Sequence, residues 1–533
     1  MPADTARRSK RISQESHAQR WRGIGWGFLV KLALMALVNA FGLAVIVSAI
    51  GTESWIILGV SIVLLAAADI IYFTRRALPL KYLYPGLVFL LAFQVFTLGY
   101  TGYVAFTNYG TGHAGSMQQA VDAALIQSER RVENSPSYPL TVVERGGELG
   151  FAIVDDGTLR VGGPDDGLAD AGSASGFGAP TEVPGWTLVP KGTLLTDPEL
   201  QQRVAELRVP ISDDPNDGSL RTRDGSSAAV YRSNLVWDEQ AQTITDVDTG
   251  LVYEADHSRG LFVAPDGSRL LTGWIVGVGF DNYVRAFTDP ALAGPLLQVT
   301  GWTFAFAVLT VFTSFALGLF LAIVYNDPRV RARRVLRTLF ILPYAFPAFM
   351  SALLFRGMFN AEFGIVNDLF FFGADINWLG DPWLARFAVL WVNLWLSFPY
   401  WFLVCLGALQ SLPGETIEAA TIDGAGRWRR FRSIMLPLLL VSTAPLAISS
   451  FAFNFNNFTI IYMLTNGGPA FDANTARLGA TDLLISAIYK ISGVAGGTAD
   501  YGLASALSII VFIVIGAVSA LAFRQTRKLE EIQ

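Results

Sequence analysis

Long apolar stretches separated by polar loops dominate the pattern of this chain. The apolar runs lie near 27–49, 55–73, 84–106, 296–325, 335–357, 385–410, 437–464 and 500–523. A helix of about 20 residues crosses the ~30 Å hydrocarbon core of a bilayer, so each run predicts a transmembrane helix. The first run is longer than a signal-peptide core and predicts a retained span. In the seventh, Pro437 and Pro445 remove backbone donors and predict a bend.

Basic residues follow a regular alternation between these spans. They cluster in RRSKR near the N-terminus, at Arg75, Arg76 and Lys81, in PRVRARRVLR (328–337), in the loop after span six, and at Arg524, Arg527 and Lys528. With eight spans, all these clusters fall on one side of the membrane. Arg and Lys concentrate in cytoplasmic loops, so we expect a multi-pass membrane protein with both termini cytoplasmic.

Residues 108–275 have a different pattern and are placed outside by the same alternation. The segments LGFAIVDDGTLRVG, AAVYRSNLVWDE, GLVYEADHS and GLFVAPDGSRLLTGWIVGVG alternate apolar and polar residues around DG and PDG turns. Such a pattern predicts short strands in hairpins. The Gly-rich stretch 162–180 is typical of a flexible insert. We therefore predict a β-rich extracytoplasmic domain inserted between spans three and four.

This outer region carries no obvious catalytic constellation. Two acidic pairs, Asp155–Asp156 and Asp165–Asp166, are candidates for a cation, although solvated turn carboxylates are the better explanation. The chain thus divides into a cytoplasmic segment 1–23, three spans in 24–107, the outer domain 108–275, and a five-span core 276–533. The fold class is an α-helical polytopic membrane protein with a β-rich extracytoplasmic domain.

Composition narrows the function. Of 533 residues, 52% are hydrophobic and 16% are charged, well below the quarter typical of soluble domains. The net charge of −5 argues against nucleic-acid binding. A single cysteine, Cys405, excludes an internal disulfide and a cysteine-based zinc site. No G-x-x-x-x-G-K-[ST] string is present, so any energy from ATP must come from a partner.

The loop 413–437 is too polar to cross a membrane. Glu415 and Glu418 would lie in the first turn of a short helix, where the helix dipole favours carboxylates. Ala419 and Ala420 allow another surface to approach closely. The pattern predicts a cytoplasmic helix that docks into a second protein, while an ordinary solvated loop remains the alternative.

After this short helix, Gly424 and Gly426 allow a sharp change of direction before an arginine-rich segment. This segment resembles the EAA motif of ABC-importer permeases. In both, E-A-A is followed after three residues by G, and after nine more residues by I-x-L-P. The matching positions are Glu418, Ala419, Ala420, Gly424, Ile434, Leu436 and Pro437. In that family the element is the coupling helix, which sits in a groove of the ATPase subunit.

Other segments resemble one branch of that family, the larger (MalF-type) permeases of maltose/maltodextrin importers. They are LWLSFPY (394–400), SFAFNFNNF (450–458), LTNGGP (464–469) and YGLASALS (501–508). The resemblance implies a type I ABC importer permease fold and no cofactor in this chain, with ATP and Mg held by the partner ATPase. Implied partners are a MalG-type permease, a MalK-type ATPase dimer, an extracytoplasmic sugar-binding protein and membrane lipid.

Span seven carries amides among its phenylalanines, which are costly in lipid and normally face protein or a cavity. At 100° per residue, Ser450, Phe453, Asn454 and Asn457 share one helix face, while Asn456 points elsewhere. Amides and hydroxyls match sugar hydroxyls, and an aromatic ring covers a pyranose face. The alternative is that the asparagines hold helices together.

The resemblance also implies a set of substrate-binding residues. They are Leu396, Ser397, Tyr400, Ser450, Phe453, Asn454 and Asn457. Position 397 is commonly glycine in that family, so the serine here leaves the exact sugar open.

Two other classes of function are weighed against this one. A membrane glycosyltransferase would need clustered carboxylates or histidines at the membrane surface, which the sequence does not offer. A proton-coupled transporter would need ionisable residues inside spans, of which Lys31 is the clearest. Lys31 lies near a span end, where its side chain can extend to the interface. The sequence therefore predicts a transport subunit for maltose, maltodextrin or a related α-glucoside, and not an enzyme.

Overall fold

The protein is described from a computed structural model that covers residues 25–74, 78–133, 135–173, 178–327, 329–331, 333–472 and 477–530, with side chains through 524. The predicted cytoplasmic segment 1–23 and the cations Arg75, Arg76, Arg527 and Lys528 lie outside that description. The chain forms two compact units, Met1–Tyr100 and Thr101–Gln533, which are considered separately.

The first unit consists of apolar helices, as predicted. They are α1 (Trp26–Gly51), α2 (Trp55–Phe73) and α3 (Leu78–Leu90), which continues through a π turn, Leu91–Val95, into α4 (Phe96–Ala105). One polar contact joins α1 to α2, where Asn39 Nδ2 donates to Asp69 Oδ1 at 3.0 Å. The Lys31 ammonium lies 4.6 Å from the ring centroid of Phe73.

The second unit begins with the outer domain, which is β-rich as predicted. Its strands are β1 (His113–Gly115), β2 (Glu129–Arg131), β3 (Tyr138–Arg145), β4 (Glu148–Asp155), β5 (Thr158–Gly162), β6 (Ala169–Ser173), β7 (Thr187–Leu188), β8 (Val209–Pro210), β9 (Ser219–Thr222), β10 (Ser227–Ser233), β11 (Leu235–Asp238), β12 (Thr243–Asp246), β13 (Val252–Asp256), β14 (Leu261–Val263) and β15 (Arg269–Trp274). Its helices are α5 (Met117–Gln127), α6 (Lys191–Thr196) and α7 (Pro198–Glu206), with a 3-10 turn at Pro215–Asp217.

These strands form two sheets, in the orders β1-β15-β14-β13-β12-β11 and β6-β5-β4-β3-β10-β9-β8, with β2 on β10 and β7 on β3. The predicted hairpin β4–β5 turns at Asp156 and Gly157, which both have positive φ. The prediction of a flexible insert at 162–180 is wrong in part, because β6 pairs with β5 inside it. Residues 174–177 lie outside the described part of the chain.

The permease core follows the outer domain. Its helices are α8 (Asp281–Thr288), α9 (Pro290–Asn326), α10 (Arg333–Ile341), α11 (Ala348–Met358), α12 (Ile365–Phe370), α13 (Pro382–Ser411), α14 (Gly414–Ile422), α15 (Arg427–Arg430), α16 (Leu436–Phe455), α17 (Phe458–Leu464), α18 (Leu484–Ile491) and α19 (Tyr501–Glu530). A 3-10 turn, Leu342–Ala345, follows α10, and a π turn, Phe431–Met435, joins α15 to α16.

Two long helices, α9 and α13, form the centre of this core. Each begins at an Asp–Pro pair whose carboxylate caps the first turn: Asp289 accepts from the Ala291 amide, and Asp381 from the Trp383 amide, both at 2.9 Å. A Cβ on Gly318 would lie 2.6 Å from the backbone of Phe402, so glycine lets α9 and α13 approach closely.

Within the described residues, seven helices are long and apolar enough to span a membrane, or eight if one bent pair counts as a span. That pair corresponds to the predicted span 335–357. It is bent by 92° between Ala345 and Ala348, so the segment predicted as one span consists of two helices joined by a break. Pro343 lies in the 3-10 turn and Pro347 precedes α11, and each lacks the amide needed to continue an α-helix.

The predicted seventh span, 437–464, is also two helices. The apolar helix starts earlier, at Arg427, and ends at Phe455, and α17 starts at Phe458. Pro445 lies inside α16, but the chain breaks at Asn456 and Asn457 instead. Asn456 ends one helix and Asn457 begins the next, because the Asn457 side chain can cap the new N-terminus.

Candidate substrate cavity and coupling helix

A cavity of about 540 Å³ opens in the permease core beside both helix breaks. Its walls come from the 342–348 turn, α13, α16 and the start of α17. The lining residues are Tyr344, Phe346, Ala348, Asn393, Leu396, Ser397, Tyr400, Trp401, Leu446, Ser449, Ser450, Phe453, Asn454, Asn457, Thr459 and Ile460. Ligand sites in proteins commonly enclose about 300–1,000 Å³, so this cavity has room for a small molecule.

The structure brings all seven sequence-predicted substrate residues to this one cavity. They are Leu396, Ser397, Tyr400, Ser450, Phe453, Asn454 and Asn457. Asn456 lines a different cavity, of about 350 Å³, together with residues of α18 and α19. The contrast between Asn454 and Asn456 predicted from helical periodicity is therefore present in the structure, whereas the binding role of the seven remains a prediction.

The reason for the position of Asn457 differs from the one that the sequence suggested. Ser450, Phe453 and Asn454 share a face of α16, as the 100° rotation predicts. Asn457 lies beyond the end of that helix and reaches the cavity because the chain breaks at Asn456. Its side-chain oxygen accepts from the Ile460 amide at 3.5 Å, which caps α17.

A buried amide network connects the walls, with Asn393 of α13 at its centre. The Asn393 amide nitrogen donates to Asn454 Oδ1 at 2.8 Å and to Thr310 Oγ1 at 3.1 Å. Asn457 Nδ2 donates in turn to Asn393 Oδ1 at 3.2 Å. Asn454 Nδ2 also donates to the Ser450 carbonyl at 2.8 Å. The asparagines thus hold helices together and line the cavity as well.

Sequence reasoning missed Asn393. A signal was present, because Asn393 lies three, four and seven residues before Leu396, Ser397 and Tyr400, which is the spacing of one helix face. Its partners in the network are 61 to 83 residues away along the chain, so no local pattern could pair them.

Three of the seven sequence-predicted residues carry a hydroxyl group that is free to meet a ligand. Within the described residues, the hydroxyls of Ser397, Ser450 and Tyr400 make no hydrogen bond to protein, although all three residues line the cavity. Phe453 is 75% exposed and presents an aromatic face there. The described lining contains no charged side chain. Free hydroxyls beside an aromatic face, without charge, suit a neutral polyhydroxylated ligand.

The EAA segment forms the predicted helix–turn–helix. Helix α14 begins at Gly414, and the turn after it uses Gly424, whose φ of 77° is easily adopted only by glycine. Ala420 is buried, while Glu418 and Ala419 are exposed. Glu418 and Ala419 therefore form an exposed surface that is acidic and small. Their docking role remains a prediction.

Two details of this loop differ from the sequence prediction. Glu415 lies in the first turn of α14 as expected, but Glu418 lies in the second turn, outside the region where the dipole is strongest. Gly426 has φ −61° and ψ 160°, an extended conformation open to any residue, so only Gly424 requires glycine.

The acidic pairs of the outer domain have arginine partners. Asp155 Oδ2 lies 3.1 Å from Arg160, and Asp166 pairs with Arg145. Asp156 occupies the β4–β5 turn. In the described part of the chain, no group of three or more His, Cys, Asp or Glu could hold a metal ion.

Comparison with known proteins identifies the family. The model of the binding-protein-dependent transport system inner membrane component matches residues 314–528, and that of the N-terminal region of the TM subunit in PBP-dependent ABC transporters matches 88–165. The maltose/maltodextrin transport system permease protein MalF of Vibrio vulnificus is 34% identical over 88% of this chain and 89% of its own. Its Escherichia coli counterpart is 32% identical over 96% and 97%.

A solved bacterial ABC transporter involved in alginate import covers 47% of this chain and 84% of its own, at 22% identity and a TM-score of 0.41. The two MalF relatives exceed 30% identity across nearly the whole chain. The chain belongs to the MalF family of permeases of binding-protein-dependent transport systems.

Proposed function

We propose that this chain is the permease subunit through which an ABC importer moves maltose, maltodextrin or a related α-glucoside. The observation that carries the proposal is the cavity that gathers all seven substrate residues. It combines free hydroxyls at Ser397, Ser450 and Tyr400 with the exposed ring of Phe453 and a described lining without charge. Those features suit a neutral sugar, and the MalF relatives are named for maltose and maltodextrin.

The chain is a transport subunit, and its work is to change which side of the membrane the cavity faces. We propose that a MalK-type ATPase dimer binds ATP and Mg and receives α14 in a groove. A MalG-type permease would complete the pathway, and an extracytoplasmic binding protein would deliver the sugar. The family description, a binding-protein-dependent transport component, supports the last of these partners.

A continuous helix supports mechanical coupling between the ATPase and the sugar. Residues Arg427–Phe455 form one apolar helix of 29 residues. At 1.5 Å per residue it is about 43 Å long. Its start adjoins the turn at Gly424, and its end carries Ser450, Phe453 and Asn454 of the cavity wall. A displacement of α14 would therefore move one wall of the cavity as well.

For the orientation, we propose cytoplasmic termini in a bacterial plasma membrane. Arginines are dense at 329–337 and 427–432, while the outer domain lies at the opposite ends of α9 and α19. At that end Arg285 Nη2 pairs with Asp500 Oδ2 at 2.9 Å, and Asn282 donates to the carbonyls of Ala105 and Thr107. Positive charge on the α14 side fits a cytoplasmic location.

The test is uptake into proteoliposomes that contain this chain with its permease, ATPase and binding-protein partners. We expect ATP-dependent accumulation of radiolabelled maltose, competed by unlabelled neutral α-glucosides. A cavity built for neutral sugars predicts little competition from an equally sized uronic-acid oligosaccharide, because a carboxylate would be desolvated there without a cationic partner. Equal competition by the acidic sugar would contradict the assigned cavity, and uptake without ATP or partners would contradict the transporter class.

A further inference from the structure

A second, larger groove lies at the α14 side of the core, away from the substrate cavity. It encloses about 1240 Å³ and is called the basic groove here. Its lining comes from the C-terminal half of α9, the residues just after it, α14, and the α15–π-turn segment. The lining residues are Phe312, Phe315, Ala316, Leu319, Phe320, Ile323, Asn326, Asp327, Arg329, Ile417, Arg427, Trp428, Arg430, Phe431, Met435 and Leu436.

The part of the groove along α9 is apolar and open. Phe312 is 67% exposed and Phe320 is 61% exposed, one on each side of the small residue Ala316. Together with Ile323 they form a strip about two to three helical turns long, since one turn covers 3.6 residues. Such a strip is long and apolar enough to accommodate much of an acyl chain.

The other end of the groove is basic. Arg329, Arg427 and Arg430 line it, and Asp327 is the one carboxylate among the groove residues described. Asp327 Oδ1 accepts from the Arg329 amide at 2.9 Å, and Arg430 donates to the Thr421 hydroxyl. In the structure as described, none of these three guanidinium groups forms a salt bridge with a carboxylate. Three guanidinium groups against one carboxylate leave an anion-attracting rim.

The basic end also lies where the membrane surface is expected. Helix α9 ends at Asn326, at the boundary between apolar sequence and the polar residues that follow. Trp428 lies on the rim and is 70% exposed. Exposed tryptophans concentrate at the headgroup level of membranes, where their rings meet both environments. With the orientation proposed above, the groove would run from the headgroup level into the hydrocarbon region.

We propose that the basic groove binds an anionic glycerophospholipid of the cytoplasmic leaflet. Its phosphate would lie among Arg329, Arg427 and Arg430, and an acyl chain would lie along Phe312 and Phe320. Basic pockets between transmembrane helices are typical sites for anionic headgroups, and guanidinium pairs with phosphate in a two-pronged geometry. A zwitterionic lipid would fill the apolar strip equally well but would leave its choline or amine beside the arginines.

A bound lipid would also influence coupling. Ile417 belongs to α14 and lines the groove opposite α9. A lipid between them would brace the coupling helix against α9. The inference uses the membrane orientation given under the proposed function, but the retention of lipid can be measured without any transport. Its failure is therefore distinguishable from a failure of the sugar assignment.

The experiment is native mass spectrometry of the intact importer complex, equilibrated with equal amounts of phosphatidylglycerol and phosphatidylcholine. We expect preferential retention of phosphatidylglycerol, reduced about fivefold by Arg329→Gln and by Arg427→Gln, since each basic residue near anionic lipid contributes about that factor. The matched control is Arg429→Gln. Arg429 lies between Arg427 and Arg430, but its side chain is exposed and does not line the groove, so the variant removes the same charge from outside the site. It should change retention less than about twofold.

A second pair of variants tests the apolar strip with every charge intact. Ala316→Trp fills the groove and should lower retention, whereas Val308→Trp adds the same ring to an exposed position of α9 outside it. Equal retention of the two lipids, or equal effects of Arg427→Gln and Arg429→Gln, would overturn the proposal. A photo-crosslinker at Phe312 that captures the partner permease instead of lipid would overturn it too, because a protein helix would then occupy the groove.

Discussion

The Tyr400→Phe variant distinguishes a role of Tyr400 in sugar recognition from a role in helix packing. In the Tyr400→Phe variant the ring is retained, and its edge-to-face contact with Trp401, at 5.5 Å between centroids, stays in place. The described part of the protein offers this hydroxyl no hydrogen-bond partner, so the variant loses no bond within the chain. Its stability should therefore change by no more than about 0.5 kcal/mol.

If the sugar bonds to this hydroxyl during translocation, the loss should appear in transport alone. One neutral hydrogen bond contributes about 0.5–1.5 kcal/mol net, which corresponds to about a two- to tenfold change. We therefore expect maltose uptake by Tyr400→Phe to fall by about two- to tenfold. The assay is uptake of radiolabelled maltose at saturating loaded binding protein, normalised to assembled complex.

The matched comparison is Asn393→Leu, at the centre of the amide network. This change removes bonds to Thr310, Asn454 and Asn457. Side-chain hydrogen bonds between membrane helices average about 0.6 kcal/mol each, so three of them amount to about 2 kcal/mol. Thermal unfolding of the complex should therefore be clearly lowered by Asn393→Leu and unaffected by Tyr400→Phe.

Two results would refute this reasoning. Unchanged uptake in Tyr400→Phe, with the complex fully assembled, would mean that the hydroxyl does not meet the sugar. A loss of thermal stability in Tyr400→Phe as large as that in Asn393→Leu would mean that the hydroxyl has a structural partner, and that lower uptake reports damaged packing.

Further predictions test the coupling helix, the topology and the outer domain. Glu418→Lys should lower sugar-stimulated ATPase activity about tenfold or more, since an interface charge left unpaired costs about 2 kcal/mol or more; full activity would exclude the docking role. Gly424→Pro should act similarly, because proline cannot adopt φ 77°. A label at Gly167 should react only from outside and one at Arg429 only from inside; labelling from one side would overturn the topology. Replacing 120–260 with a short linker should weaken capture of the loaded binding protein in a pull-down while the core still assembles, and unchanged affinity would leave the outer domain without that role.

Local sequence features predicted much of the fold because each is decided by a short segment. Hydropathy located the spans, since any run of about 20 apolar residues meets the length requirement of a bilayer. Asp156 and Gly157 predicted the β4–β5 hairpin, since both adopt positive φ in such a turn. The E-A-A spacing predicted α14 and the turn after it, because a small-residue helix and its glycine turn are encoded within about ten consecutive residues.

The missed features depend on long-range contacts or on breaks that hydropathy does not register. Asn393 was missed because its partners Thr310 and Asn454 lie 83 and 61 residues away. The bend at 345–348 was missed because residues 338–355 carry no charge and have the composition of one uninterrupted span. Pro343 and Pro347, four residues apart, are the local signal for that bend, whereas Pro445, for which a bend was predicted, lies inside α16.

The two helix breaks suggest why the cavity lies where it does. A break frees backbone amides and carbonyls, and these are tolerated at membrane depth only where protein or a polar cavity satisfies them. The first break contributes Tyr344 and Phe346 to the cavity, and the second contributes Asn457. The Asn457 side chain accepts a hydrogen bond from a backbone amide at the start of α17 and donates one to Asn393. One amide group therefore bonds a backbone group freed by the break and connects it to α13, the opposite wall of the cavity. Discontinuous helices of this kind form substrate sites in many transporters, because an interrupted helix can present polar groups and rotate about its break. The break at 456 therefore places polar groups of the cavity wall at the end of the 29-residue helix, the wall that we propose moves with α14.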